Sequence, residues 1–538
     1  MDGVNADTFT HIVVGAGCAG CIVAARIAEN DNFNVLLIEA GPDYDPAKSL
    51  VPHGVQDARK VPMKGQSEVF DPRLDWNVIV DVPEGQPMVV PQAKIMGGGS
   101  SINGGTALRN TEADCKEWVE LGNGAWNYDA VCHVYQSLEN DEVRGTKGAH
   151  PITRTTPEEA NKIQAAFVEA ALSAGFDPVL DFNAPGAEGV GPSPVCRQGD
   201  VRVSASNTFI DPIRGKGNIT ILTETHVDKV AFSGRRATGV VLIDGRTVSA
   251  SKEVIVCAGT FFSPAILQRS GIGPSDLLSE LGIPTVADLP VGNNLCDHVC
   301  IPLVAKPRAG AYEPGDYSLQ MQARWSSSLH PGSTDFQMVC FSYLNAPPAG
   351  DGTQGRSLSG TAVGHVAGIG CNVNKPTSLG SVRIKSTDAA EAPRIAPNYL
   401  QTDHDRRAAR EIVRKVYGII TSDAMQRVLH RPDGLDNSIL ESDDRLDRWI
   451  QCQFSTTYHF SGTCRMAPVA NGGVVDQSGR VHGVESLRVC DASIIPTTPA
   501  ANTMWTTMMF AQRIGVAVKD GQDVSSLSEA GRMEDTRP

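Results

Sequence analysis

Residues 11–30 read "HIVVGAGCAGCIVAARIAEN": a short apolar run, six residues carrying glycines at 15, 17 and 20, then alanine and isoleucine at helical spacing. "NVLLIEAG" follows at 34–41, so the opening of the chain predicts strand, glycine turn, helix and strand. That is a complete βαβ unit, with a crossover expected to be right-handed. Between a strand and a helix, Gly15, Gly17 and Gly20 meet the structural conditions of a dinucleotide fingerprint: a tight turn, backbone open to a pyrophosphate, and close packing of helix on strand. Ala16, Cys18 and Ala19 lie between them as further candidate contacts. Phosphate charge would meet backbone N–H groups and the positive end of the helix. Glu39 closes the second strand 19 residues after Gly20, followed by Ala40. A carboxylate there accepts hydrogen bonds from a ribose and disfavours a 2′-phosphate. The competing explanation is a chance match in a glycine-rich chain. FAD and NAD both fit this half-site, and the loop does not choose between them.

With 538 residues the chain can bury large cores, enough for about two to four domains. A composition 41% hydrophobic and 20% charged is that of a globular protein rather than a disordered one. The formal charge of −14, without a long Lys/Arg cluster, argues against nucleic acid and anionic membranes as partners, although acidity also serves solubility. Small molecules become the default partner. The first residues, "MDGVNADTFTHIVV", lack the flank and apolar stretch of a secretion signal. No window reaches the roughly 18 apolar residues of a membrane span, and the expected location is cytoplasmic. The 13 cysteines are odd in number and scattered, which favours reduced, buried thiols over a disulfide framework or a metal site.

Farther along, residues 41–115 are rich in Pro, Gly and Asp and read as long surface loops, including "KIMGGGSSINGG" at 94–105. Residues 157–175 read as one amphipathic helix. From 218, "NITILTET", "VDKVAFSG", "ATGVVLID" and "RTVSASKEVIVCAG" read as an antiparallel meander whose last strand rejoins the first sheet. Residues 301–400 mix strand-like runs with loops such as "PPAGDGTQGRSLSG". The end of the chain reads as a strand, a turn, an apolar helix and, after about 520, a polar tail.

Six segments in sequence, the glycine loop together with 95–110, 254–274, 290–298, 458–466 and 487–503, resemble the glucose-methanol-choline (GMC) family of FAD-dependent oxidoreductases, in particular its aryl-alcohol and hydroxymethylfurfural oxidase branch. The resemblance spans nearly the whole chain. It implies an α/β fold (α+β overall), with a discontinuous doubly wound FAD-binding domain at 1–155, 200–300 and 455–520. A substrate domain with an antiparallel sheet would occupy 156–199 and 301–454, leaving 521–538 as the polar tail. It further implies that Met96, Gly98, Ser101, Asn103, Gly104, Gly105 and Thr106 lie along the flavin, that the Val227 backbone holds adenine, and that Asp491, Ala492, Asn502 and Thr503 complete the cofactor site. Asp491 is equally suited to capping a turn. Some relatives carry a histidine bonded covalently to the flavin where this chain has Ile102, so the FAD is expected to be non-covalent.

The same resemblance assigns His459 as the catalytic base and Asn502 as its partner. Alcohol oxidation needs the hydroxyl proton removed while a hydride leaves carbon for the flavin N5, and imidazole suits that task. Asn502 holds no exchangeable charge and is expected to position the substrate oxygen. Taken alone, a histidine between Tyr458 and Phe460 is more often a bonded core residue. The substrate is expected to be a primary aryl or allylic alcohol. The acceptor is expected to be oxygen, giving hydrogen peroxide, with room for it beside Gly462 and Ala501. A dehydrogenase using another acceptor, a hydroxynitrile lyase and a photodecarboxylase remain rivals on the same scaffold, and assembly as a homodimer stays open.

Overall fold

The computed structural model describes residues 9–45, 53–59, 72–82, 87–313, 315–346 and 364–527. The expected loop at 347–360 and the polar tail beyond 527 lie outside the described residues. Strand β1 (Phe9–Val14) enters the glycine turn, helix α1 (Cys18–Ala28) leaves it, and β2 (Val35–Ile38) returns beside β1 in parallel register. All four residues of β2 are buried, as a strand covered on both faces requires. β3 (Ile219–Leu222) pairs parallel with β2 on its other side. After β3 come β4 (Val227–Ser233), β5 (Arg236–Leu242) and the ten-residue β6 (Thr247–Val256), which runs into helix α2 (Gly259–Arg269). Near the end of the chain β7 (Leu487–Val489) precedes helix α3 (Thr503–Asp520).

β6 belongs to two layers at once. Its first half pairs antiparallel with β5, which pairs with β4, while its second half lies parallel between β1 and β7. The parallel order is therefore β3-β2-β1-β6-β7. "VIVCAG" does rejoin the first sheet, but "NITILTET" is not the first strand of the meander. A left-handed residue in the short link, Glu224 (φ 49°), turns the chain out of the sheet, and Thr225 N–H bonds the Glu39 carbonyl 2.9 Å away. The expected helix 157–175 is also divided. Asn161 accepts hydrogen bonds from the N–H groups of Ile163 and Gln164, so a new helix starts there and runs Lys162–Ser173 after a single 3₁₀ turn at Pro157–Glu159.

A second sheet is wholly antiparallel, in the order Ser455–Thr456, Val299–Ala305, Gly364–Val373, Phe336–Ala346, Leu319–Trp325, Gly189–Pro192. Helices Lys162–Ser173 and Asp403–Ile420 pack into its core through residues such as Phe167, Ile412 and Val416. A separate core joins α1, α3 and the parallel sheet. All 13 cysteines are unpaired, and ten are buried. Among the described residues no helix is long and apolar enough to cross a membrane.

Candidate active site

A cavity of about 380 Å³ lies where the glycine turn, the carboxyl ends of β1 and β6, the start of α3 and the antiparallel sheet meet. Its first wall is backbone. Gly15 turns with φ 94°, and a Cβ there would sit 2.5 Å from the Cys257 carbonyl oxygen. The second glycine cluster packs against the first: Gly97 N–H bonds the Ala16 carbonyl at 2.7 Å, and a Cβ on Gly98 would lie 2.6 Å from the Gly17 Cα. Gly17 offers no side chain to cap the first turn of α1, so that helix end opens on the cavity at Cys18 and Ala19.

Glu39 lines this wall and is itself held in place. Its two carboxylate oxygens accept the N–H groups of Ala16 and Gly41, each at 2.8 Å. Asp491 also lines the cavity while capping: it accepts the N–H groups of Ser493 (2.8 Å) and Gly259 (2.9 Å) and the Ser263 hydroxyl (2.5 Å). Burial raises both carboxyls above their ordinary range. A groove of bare backbone, an uncapped helix end and a carboxylate at the second strand end are what an adenine dinucleotide requires, and these residues fit FAD. Ala40, Gly98, Asn103, Gly104, Gly105, Thr106, Val227, Ala492 and Thr503 also reach the cavity. Ala16, Gly20, Met96 and Ser101, expected to touch the cofactor, are not among the residues that line the cavity. They form the layer behind: the Ser101 hydroxyl bonds the Met96 carbonyl at 2.7 Å, and Gly20 backs onto the Gly15 carbonyl. Ile102 lines the cavity where the covalent histidine of some relatives was expected to be absent.

The opposite wall is built from side chains. Strand Ser455–Thr456 pairs with Val299–Ala305 so that Val299 faces Thr456, which brings His298 beside the segment Thr457–His459. Tyr458 adopts a left-handed conformation (φ 65°), its N–H bonding the Thr456 hydroxyl at 2.7 Å, and this kink delivers His459 to the cavity. Asp297 fixes the main chain there. Its carboxylate accepts the His459 N–H at 2.8 Å and the hydroxyls of Tyr399 and Thr456 at 2.5 Å, while burial pushes it up to about 6. Asn502 stands at the head of α3, where an asparagine ordinarily caps the helix. Here it makes no cap and turns its Nδ2 to His459 Nε2, 3.0 Å away.

Three residues outside the expected set shape this wall. His298 places Nδ1 2.9 Å from His459 Nδ1 and Nε2 2.9 Å from the Pro499 carbonyl oxygen. Gln337 donates to Asn502 Oδ1 at 3.5 Å, and its own carbonyl accepts from Asn372 at 3.2 Å. Burial lowers His459 to about 3 and drives His298 well below its ordinary value, so both rings are neutral. Gly462 and Ala501, beside which room for oxygen was expected, lie away from the cavity. Neither lines the cavity, a Cβ on Gly462 would meet the Asn294 carbonyl at 2.6 Å, and Ala501 packs with Leu108 and Phe182.

Comparison with known proteins identifies the family. The chain matches the GMC oxidoreductase family over residues 9–300 and again over 376–511. It is 34% identical to an oxygen-dependent choline dehydrogenase of Pectobacterium carotovorum, over 96% of this chain and 95% of that one. It is 31% identical to a 5-(hydroxymethyl)furfural oxidase of Methylovorus, over 95% of this chain and 98% of that one. Among solved structures, pyridoxine 4-oxidase from Mesorbium loti superposes with a TM-score of 0.83 at 26% identity, over 94% of this chain and 98% of the other. The chain belongs to the GMC oxidoreductase family, flavoproteins that bind FAD and act on alcohol-type donors.

Proposed function

We propose that the protein oxidises an uncharged primary alcohol with an apolar, aryl or allylic body to the aldehyde, with His459 as base, Asn502 as the group that holds the substrate oxygen, and dissociable FAD as cofactor. The observation that carries this reading is the pairing of His459 Nε2 with Asn502 Nδ2 at 3.0 Å on the cavity wall. A neutral imidazole whose Nε2 receives an amide N–H presents a lone pair there. An alcohol entering at this point gives its hydroxyl proton to His459 Nε2 and accepts the Asn502 N–H in its place. FAD, when bound, takes the hydride released from the alcohol carbon. The open N-terminus of α3 at Asn502 and Thr503 favours negative charge accumulating beside it.

The lining around His459 supports the substrate class. Cys300, Leu319, Val339, Phe341, Tyr458 and Phe460 present apolar surface. Among the described lining residues the carboxylates are Glu39 and Asp491, and both are engaged with backbone N–H groups. A quaternary ammonium substrate, as the choline dehydrogenase relative's name implies for that protein, would want a free carboxylate near the base to offset its charge. Oxygen is proposed as the acceptor, following the oxidase relative. The test is anaerobic mixing of the FAD-loaded protein with benzylic, furanic, aliphatic and choline-type alcohols while the flavin absorbance is followed. Bleaching by the first two classes supports the reading, and bleaching by choline alone refutes the substrate class. Peroxide formed under air on reoxidation supports the acceptor, and reoxidation only by an added dye refutes it.

A further inference from the structure

The two histidines form a chain whose direction is fixed at one end. The Pro499 carbonyl can only accept a hydrogen bond, so His298 Nε2, 2.9 Å away, carries a proton. A neutral His298 then has an unprotonated Nδ1, which can only accept. Its partner at 2.9 Å, His459 Nδ1, must donate. A neutral His459 protonated at Nδ1 has its lone pair at Nε2, where Asn502 meets it with an N–H. Gln337, donating to Asn502 Oδ1, holds that amide the same way round. From Asn372 through Gln337, Asn502, His459 and His298 to Pro499, every hydrogen bond points in one direction.

Asp297 does not orient the imidazole of His459, because its carboxylate bonds the backbone N–H of that residue and not the ring. The nitrogen that a carboxylate orients in a Ser-His-Asp triad is here oriented by a second, neutral imidazole. A histidine kept only for packing would be satisfied by any partners. His298 instead bonds the base at one nitrogen and a carbonyl at the other, so the base has one permitted tautomer.

We propose that His298 is a positioning residue that locks His459 in the tautomer protonated at Nδ1 and so keeps the Nε2 lone pair on the cavity. This rests on the reading of His459 as the base. Removing His298 frees the ring to take the other neutral tautomer, protonated at Nε2, which has no lone pair there to take a hydroxyl proton. The effect should fall on proton acceptance and not on alcohol binding, since His298 does not line the cavity.

The test combines a spectroscopic and a kinetic readout on FAD-loaded protein labelled with ¹⁵N-histidine, the His459 signals being identified by their loss in His459→Ala. The parent should show a pyrrole-type Nδ1 and a pyridine-type Nε2. In His298→Leu the pattern should move toward a protonated Nε2, and anaerobic bleaching by an aryl alcohol should slow roughly tenfold to a hundredfold with little change in the dissociation constant for the alcohol. His298→Asn, whose side-chain oxygen can accept from His459 Nδ1, should recover much of the rate. A parent spectrum with a pyrrole-type Nε2 overturns the proposal even if no His298 variant folds. Normal bleaching by His298→Leu also overturns it. Were His459→Ala itself to bleach at the parent rate, the base reading would fall and take this proposal with it, whereas slow His459→Ala beside unaltered His298→Leu removes only the role of His298.

Discussion

The glycine-loop wall of the cavity and its histidine wall are built from different materials. The first is main chain: two glycine clusters joined by the 2.7 Å bond from Gly97 N–H to the Ala16 carbonyl and packed too closely for a Cβ on Gly98, a helix end without a cap, and a carboxylate holding the turn through backbone N–H groups. The second is side chains drawn from four separate stretches of sequence, residues 298, 337, 459 and 502, joined by amide and imidazole hydrogen bonds. A backbone wall tolerates exchange of neighbouring side chains but no added Cβ at its contact points. A side-chain wall tolerates changes of shape but not of donor and acceptor order. The two walls should therefore fail in different ways.

The largest expected effect is at the first wall and is all-or-none. Gly98→Ala places a methyl group against the Gly17 Cα in a left-handed backbone (φ 54°), and the variant should purify colourless and stay so after incubation with excess FAD. A yellow Gly98→Ala with the parent absorption spectrum would show that the two loops are not jointly required. At the second wall, Asn502→Ala should keep its FAD and lose about tenfold in the rate of anaerobic flavin bleaching, the worth of one directed hydrogen bond. Loss of FAD with unchanged bleaching of the residual holoprotein would reverse the assignment of the two walls.

Smaller, and shared by both, is the response of the apoprotein to acid. Burial lowers His11, His150, His226, His298, His365 and His459 from 6.5, to about 4 for His11 and about 3 for His150 and His459. Unfolded imidazoles gain protons as the pH falls through 6.5 while the folded rings refuse them, so stability is lost across that window and levels off below the folded values. Glu39, Asp297 and Asp491 act the other way. Their folded values are raised, Asp297 from 3.8 to about 6, so they add stability as the pH falls through that range. Six groups against three predicts a thermal unfolding midpoint that declines between about pH 7 and pH 5. A midpoint that rises on acidification would show that the buried carboxyls outweigh the histidines.

The same contrast explains what was legible in the sequence. The βαβ opening is local, so strand, turn, helix and second strand follow from residues 9–38 alone. β3 was misjudged because a four-residue strand says nothing of the direction of its partner, which lies far back at β2. Ser101 and Met96 sit in the right motif, but a motif does not separate the residue that lines a cavity from the one packed behind it. His298 closes segment 290–298, "PVGNNLCDH", yet nothing local marks its role: its carbonyl partner is 201 residues away and its imidazole partner 161. Gln337 reads as one polar residue in an alternating strand, and only the register of Gln337 with Asn372 points it along the chain to Asn502.

The central claim is that the His459 Nε2 lone pair receives the alcohol proton. The most direct measurement is the rate of anaerobic flavin bleaching by a saturating aryl alcohol in His459→Ala, with FAD content matched to the parent. The account predicts a fall of roughly a hundredfold to ten-thousandfold at unchanged FAD content. Bleaching at the parent rate would contradict it.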